Sequence, residues 1–255
     1  MSVDKIVISD PLHEQFRIWL SEQMSAKGLT AEPAYIFKGF ETIFLPYRAD
    51  ELEICFTHNQ KMESNNVRFS DGKITFFLTD YLAFHSNDPS IDPSHILRSQ
   101  KLEDGVTTAL GLFDENILHA IGTRQLPNIP SCIDLKKIAE LKLQPFLQNL
   151  GFSGSEVSAY DVAKKYVFKK GDIELILTTA GRLDDGYVGI KTPSGFYNYD
   201  DLVKKISSES ETAGHLVSRW AEGGLYLGDY YRVSNLIKRT LPEILEKVLP
   251  SFSKT

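Results

Sequence analysis

The stretch from Gly171 to Leu202, GDIELILTTAGRLDDGYVGIKTPSGFYNYDDL, decides how the rest of the chain is read. It reads as strand, turn, strand, turn, short strand and a helix start at Asp200. Ile173, Leu175 and Leu177 alternate along it, so they share one face of a strand. A degenerate copy runs from Glu51 to Leu82, ELEICFTHNQKMESNNVRFSDGKITFFLTDYL. There Leu52, Ile54 and Phe56 face one side, and Glu51, Glu53 and Cys55 the other. Asp71-Gly72 is a hairpin turn, and Thr79 or Asp80 caps a short helix.

Set against each other, the halves keep a nearly constant offset. Glu53, Thr57 and Val67 fall on Glu174, Thr178 and Val188, each 121 residues on. Asp80, Leu82 and His95 fall on Asp200, Leu202 and His215 at 120, and Glu103, Gly105 and Asn116 on Glu222, Gly224 and Asn235 at 119. The expected fold is therefore α+β, a tandem duplication of a helix–antiparallel meander–helices unit of about 120 residues. One sheet face would be covered by helices and the other left free, and the two units would pack as a pseudo-dimer within the chain. The first unit is expected over 1–125, a linker over 126–133 and the second unit over 134–255.

Outside these stretches, Asp10 and Pro11 open a helix whose buried stripe is Leu12, Phe16, Trp19, Leu20 and Met24, stopped at Gly28. Residues 34–45 read as a strand ended by Pro46, and His58 to Asn66 as a polar loop. Helices are expected over 95–101 and 107–121. A further helix starts at Asp134 with Ile138, Leu141, Phe146, Leu147 and Leu150 inward, kinked at Pro145. A GSEVS loop follows, and Tyr160 to Phe168 fits helix and strand alike. Helices are also expected over 213–221 and 229–239, with Thr240 and Glu243 restarting the last one.

Composition narrows the function. The 255 residues carry a net charge of −6, and 42% are hydrophobic, which suits a chain that buries its own core. A nucleic-acid partner is not expected without a basic patch. Apolar runs are of strand length, too short for a membrane span, and MSVDKIVISD lacks an apolar signal segment. Cys55 and Cys132 have no disulfide-framework or metal spacing, so both are expected to be reduced, in a cytoplasmic setting. No GxSxG, Walker A, GxGxxG, HExxH or zinc pattern occurs, so neither a cofactor nor a metal is implied.

The recognition candidates crowd the second half. Arg182, Asp184 and Asp185 sit at a hairpin tip, where the Asp-Gly step also serves a turn. Exposed loops on a rigid sheet often carry recognition. Tyr187, Tyr197, Tyr199, Trp220 and Tyr226 supply the aromatic residues favoured in protein interfaces. His95 and His215, matched across the repeat, mark the alternative, an enzyme or small-ligand site between the units. The Gly-led strand, acidic turn, second strand and Asp201-Leu202 helix start resemble the small α+β immunity proteins that neutralise bacterial toxins. The acidic, mixed helix–sheet units are similar to secretion chaperones. Both resemblances imply a non-enzymatic module that works by binding a protein partner.

Overall fold

Asp50 and Gly171 hold equivalent places in two β-hairpins, and both have left-handed backbone, at φ 53° and 55°. Glycine adopts that conformation freely, and aspartate is among the few other residues that tolerate it. Each hairpin is the centre of an antiparallel meander with helices at both ends of its sequence. The computed structural model describes residues 5–8, 14–37, 41–59, 61–86, 97–130, 135–160, 163–178, 188–206 and 230–252. These fall into two compact units, Met1–His85 with Asp92–Ser131, and Ser86–Ile91 with Cys132–Thr255. The fold is α+β, with one sheet and its helices in each unit.

In unit 1 the elements are β1 (Lys5–Val7), α1 (Glu14–Ser25), β2 (Thr30–Ala31), β3 (Tyr35–Phe37), β4 (Thr42–Ala49), β5 (Leu52–Asn59), β6 (Ser64–Ser70), β7 (Thr75–Phe77), α2 (Leu78–His85), α3 (Leu102–Gly111) and α4 (Glu115–Thr123). The sheet runs β1-β3-β4-β5-β6-β7, with β2 also paired to β4. Leu45, Tyr47, Ile54, Phe56, Val67, Phe69 and Phe76 point to one face, where Leu20 and Met24 of α1, Tyr81 of α2, Val106 of α3 and Ile117 of α4 close the core. All four helices thus pack on one side. Glycine is required at Gly105, where a Cβ would lie 2.1 Å from the buried Asn65 side chain.

Several expectations for this half are corrected. Pro46 does not end its strand. Its carbonyl accepts from Glu32 on the β2 side, so its missing N–H points the same way and costs β5 no ladder bond. The segment His58 to Asn66 is mostly strand, because buried His58 and Asn65 pair across β5 and β6, Nδ1 to Oδ1 at 2.8 Å. The helix expected over 107–121 is two, α3 and α4, divided where Asp114 caps α4 through Ile117 N. Trp19 is 37% exposed and lies against Phe16, outside the core. Leu126 and Ile129, assigned to a linker, are core residues of unit 1.

In unit 2 the order is α5 (Leu135–Ile138), a π-helical turn (Ala139–Leu143), α6 (Gln144–Asn149), β8 (Ser153–Tyr160), β9 (Ala163–Lys170), β10 (Ile173–Thr178), β11 (Val188–Thr192), β12 (Gly195–Asn198), α7 (Tyr199–Val203), α8 (Tyr230–Glu243), a second π turn (Ile244–Val248) and α9 (Leu249–Phe252). The sheet is a plain meander, β12-β11-β10-β9-β8. The GSEVS stretch is strand rather than loop, with a register shift beside Gly154, whose φ is 68°. Residues 163–168 are strand. Thr240 does not restart a helix; α8 runs through it, and its hydroxyl donates to the Leu236 carbonyl. Each π turn ends two residues before a proline, Pro145 or Pro250, where a wider turn relieves the ring's clash with the preceding one. The helix expected over 95–101 is not formed where it is described: 97–101 are extended and bent, with Arg98 bridged to Ser64 and the Ser99 amide donating to the Glu63 carbonyl, so the segment pairs with β6 instead of coiling. The helix expected over 213–221 lies outside the described residues.

Residues 121 apart occupy like places in the two sheets. Leu45 and Tyr166, Tyr47 and Phe168, Ile54 and Leu175, Phe56 and Leu177, Val67 and Val188, and Phe69 and Ile190 are all buried. The likeness fades beyond the sheets. Asn116 is exposed near the start of α4, whereas Asn235 is buried within α8.

Candidate functional site

Of the residues singled out from the sequence, Arg182, Asp184, Asp185, Tyr187, Trp220, Tyr226, His95 and His215 lie outside the described residues. Tyr197 is half-buried on the edge strand β12, and its hydroxyl donates to Ser194 Oγ at 3.2 Å. Tyr199 is a core residue. It is fully buried, its hydroxyl shares a 2.8 Å hydrogen bond with Thr240, and burial raises its pKa. Its side chain therefore has no surface to offer a partner.

The face of sheet 1 on which no described helix packs is its most differentiated surface. Strand register places Lys5 and Val7, Tyr35 and Phe37, Phe44 and Arg48, Glu53 and Cys55, Arg68, and Phe77 on it. Tyr35 stacks on Phe44 at 5.0 Å, and Phe37 meets both edge-on at 5.3 Å. Lys5 Nζ stands 4.2 Å from the centre of the Tyr35 ring. Beside these rings, Glu53 is held between Arg48 at 2.7 Å and Arg68, and Glu32 adds a 2.8 Å contact to Arg48. Val7 is 66% exposed and Phe77 37%. Such a platform, a fixed aromatic cluster rimmed by oriented guanidinium groups, suits contact with a protein surface.

Cys55 lies under this platform and is no nucleophile. Burial pushes its thiol up to about 12, against the lowering effect of Arg68, so thiolate is absent near neutrality.

Sheet 2 has a simpler counterpart. Glu174 lies between Lys169 at 3.9 Å and Lys191 at 3.6 Å, as Glu53 lies between its arginines. The Phe196 ring, 53% exposed, lies over Gly189, where a Cβ would sit 2.1 Å from it. In both sheets an edge-strand phenylalanine stands opposite the outer strand's cation, Phe77 with Arg68 and Phe196 with Lys191. The sequence carried part of this signal in the alternation of Glu51, Glu53 and Cys55. The partners across the sheet become visible only with the register.

No family model, curated protein or solved structure matches the chain. Other polar constellations of unit 1 hold its own elements together. A cleft of about 460 Å³ in unit 1 is lined by Asp50, Glu51, Asp71, Lys73 and Arg124. There Asp71 accepts from the Lys73 and Ile74 amides, and Arg124 holds the Gly28 carbonyl after α1 at 3.1 Å. Tyr81 donates to Asp114 at 2.6 Å, which ties α2 to the cap of α4. Its phenol is pushed up to about 12 by burial and by that bond. Among the described residues, no group of three His, Cys, Asp or Glu side chains is placed to hold a metal. Among them, too, no helix is long and apolar enough to cross a membrane.

Proposed function

We propose that this protein is a non-enzymatic protein-binding module made of two copies of one α+β unit, each using the helix-free face of its sheet. The observation that carries the reading is the outer face of sheet 1. It holds a stacked aromatic cluster, an exposed Phe77 and Val7, and an Arg–Glu–Arg ladder on one rigid platform. The Lys169–Glu174 pair, 121 residues after Arg48–Glu53, and the buried pairs at the same offset support duplication of that design.

Charge indicates the kind of partner. The chain as a whole is acidic, with a net charge of −6. On the strands of this one face, however, Lys5, Arg48 and Arg68 outnumber Glu53. The partner is therefore an acidic protein surface with an apolar centre. Complementary charge of this kind sets encounter rate and specificity more than raw affinity.

The test is a quantitative pull-down from source lysate with the wild type, Phe77→Asp and Lys5→Glu. An acidic protein retained stoichiometrically by the wild type, and lost or weakened at least tenfold by either variant, is the expected result. Equal retention by all three forms would remove the sheet face from the account. A bound small molecule in place of a protein would favour the ligand-binding alternative.

A further inference from the structure

The first π turn puts a lysine where a leucine is expected. The extra residue in Ala139–Leu143 rotates the helix face, so Leu141 is 45% exposed while Lys142 is 5% exposed. Lys142 Nζ donates to the Ser86 carbonyl at 3.1 Å and stands 5.2 Å from the centre of the Tyr231 ring. Asn235 Nδ2 donates to the same carbonyl at 2.8 Å. That bond brings the Asn235 carboxamide beside the lysine and decides which end of it is oxygen. Tyr231, Ser234, Asn235 and Lys238 follow one another at helical spacing along one face of α8. The charge of Lys238 acts on Lys142, and burial disfavours the charged form of both.

Two atoms of this cluster are buried without a hydrogen-bond partner, Asn235 Oδ1 and Ser234 Oγ. Their residues are 2% and 0% exposed. A bare buried acceptor is costly, and native proteins rarely leave one unexplained. Beside two amines whose charge is disfavoured, the missing group would be negative and would still carry a proton to give.

We propose that Lys142, Lys238 and Asn235 form a binding site for hydrogen phosphate within unit 2. Its charged oxygens accept from the two ammonium groups, and its remaining O–H donates to Asn235 Oδ1. The Ser234 hydroxyl, which can donate or accept, turns to suit. The Asn235 contact sets the selectivity. Asn235 Oδ1 can only accept, and sulfate has the shape and charge of hydrogen phosphate but no proton at neutral pH. Sulfate would set acceptor against acceptor in a buried site. This goes beyond the protein-binding reading and concerns a different unit surface, so either can fail alone.

The experiment is calorimetric titration of the full chain at pH 7 with sodium phosphate and, separately, sodium sulfate at matched ionic strength. Phosphate is expected to bind at least tenfold tighter than sulfate. Asn235→Leu should abolish that preference, and Lys142→Met should abolish binding of both ions. Equal affinity for the two ions in the wild type, a measurement needing no variant, would overturn the proposal. So would the absence of phosphate binding, or phosphate affinity unchanged in Lys142→Met.

Discussion

The buried His58–Asn65 cluster of unit 1 closes on itself, whereas the Lys142–Asn235 cluster of unit 2 does not. His58 pairs with Asn65, whose amide donates to the Leu97 carbonyl at 2.8 Å and also reaches the Ser99 carbonyl. That network latches the segment before α3 onto the sheet, and Gly105 leaves room for it. In unit 2, Lys142 and Asn235 converge on Ser86 while Asn235 Oδ1 and Ser234 Oγ stay unpartnered. Strands β4–β7 and β9–β12 follow the same order, within sheets of seven and five strands. Two α+β units can thus share a strand order while differing in what their interiors demand. A closed network reads as structure, and an open one as a place for something else.

The strongest way to probe the likeness is at matched core positions. Phe56→Ala in unit 1 and Leu177→Ala in unit 2 remove fully buried side chains at equivalent sites. Each should cost roughly 2–5 kcal/mol in denaturant unfolding. A much smaller loss at either position would break the equivalence.

The titrating groups of the two units should respond to pH with opposite sign. Lys142 is lowered to about 7 by burial and by Lys238. The unfolded chain binds that proton more readily, so stability should rise with pH from about 7 towards the ordinary lysine value and be depressed below it. At 1.36 kcal/mol per pH unit between about 7 and 10.5, the effect is on the order of 5 kcal/mol, and Lys142→Met should remove it. Cys55, raised to about 12 by burial, contributes stability that is present below the ordinary thiol pKa. That contribution is lost as pH rises towards 12, and Cys55→Ala should flatten this limb. Unfolding midpoints from pH 6 to 11 for the wild type and both variants check the two signs together.

A sharper contrast comes from two glycines with the same clash distance. A Cβ at Gly105 or at Gly189 would meet a side-chain atom at 2.1 Å. Asn65 is buried and bonded and cannot move without breaking its network, so Gly105→Ala should destabilise by about 2 kcal/mol or more. Phe196 is half-exposed and can swing aside, so Gly189→Ala should cost less than about 1 kcal/mol. Thermal unfolding of the two variants measures the difference, and equal losses would contradict this account of the two faces.

Much of the framework was legible in the sequence. Alternation over Leu52 to Phe56, the Asp71-Gly72 turn and the helix over 229–239 all correspond to the elements found. What stayed hidden depended on partners distant in sequence. Pro46 is tolerated because of where Glu32 approaches it. His58 and Asn65 look like loop residues until they face each other across two strands. Leu141 and Lys142 exchange places through a π turn that no periodicity announces.

The candidate surface was hidden for the same reason. Tyr35, Phe44, Arg68 and Phe77 lie on four strands, and only register brings them to one face. Tyr199 misled because a core tyrosine and an interface tyrosine look alike in one dimension, and what distinguishes this one is its bond to Thr240.

The most direct test of the account is site-specific photocrosslinking in source cells. A photoreactive phenylalanine analogue would replace Phe77 on the helix-free face or Ile18, 55% exposed on the helix side. The account predicts one acidic protein crosslinked through position 77 and none through position 18. Crosslinking of the partner through position 18 alone would contradict it.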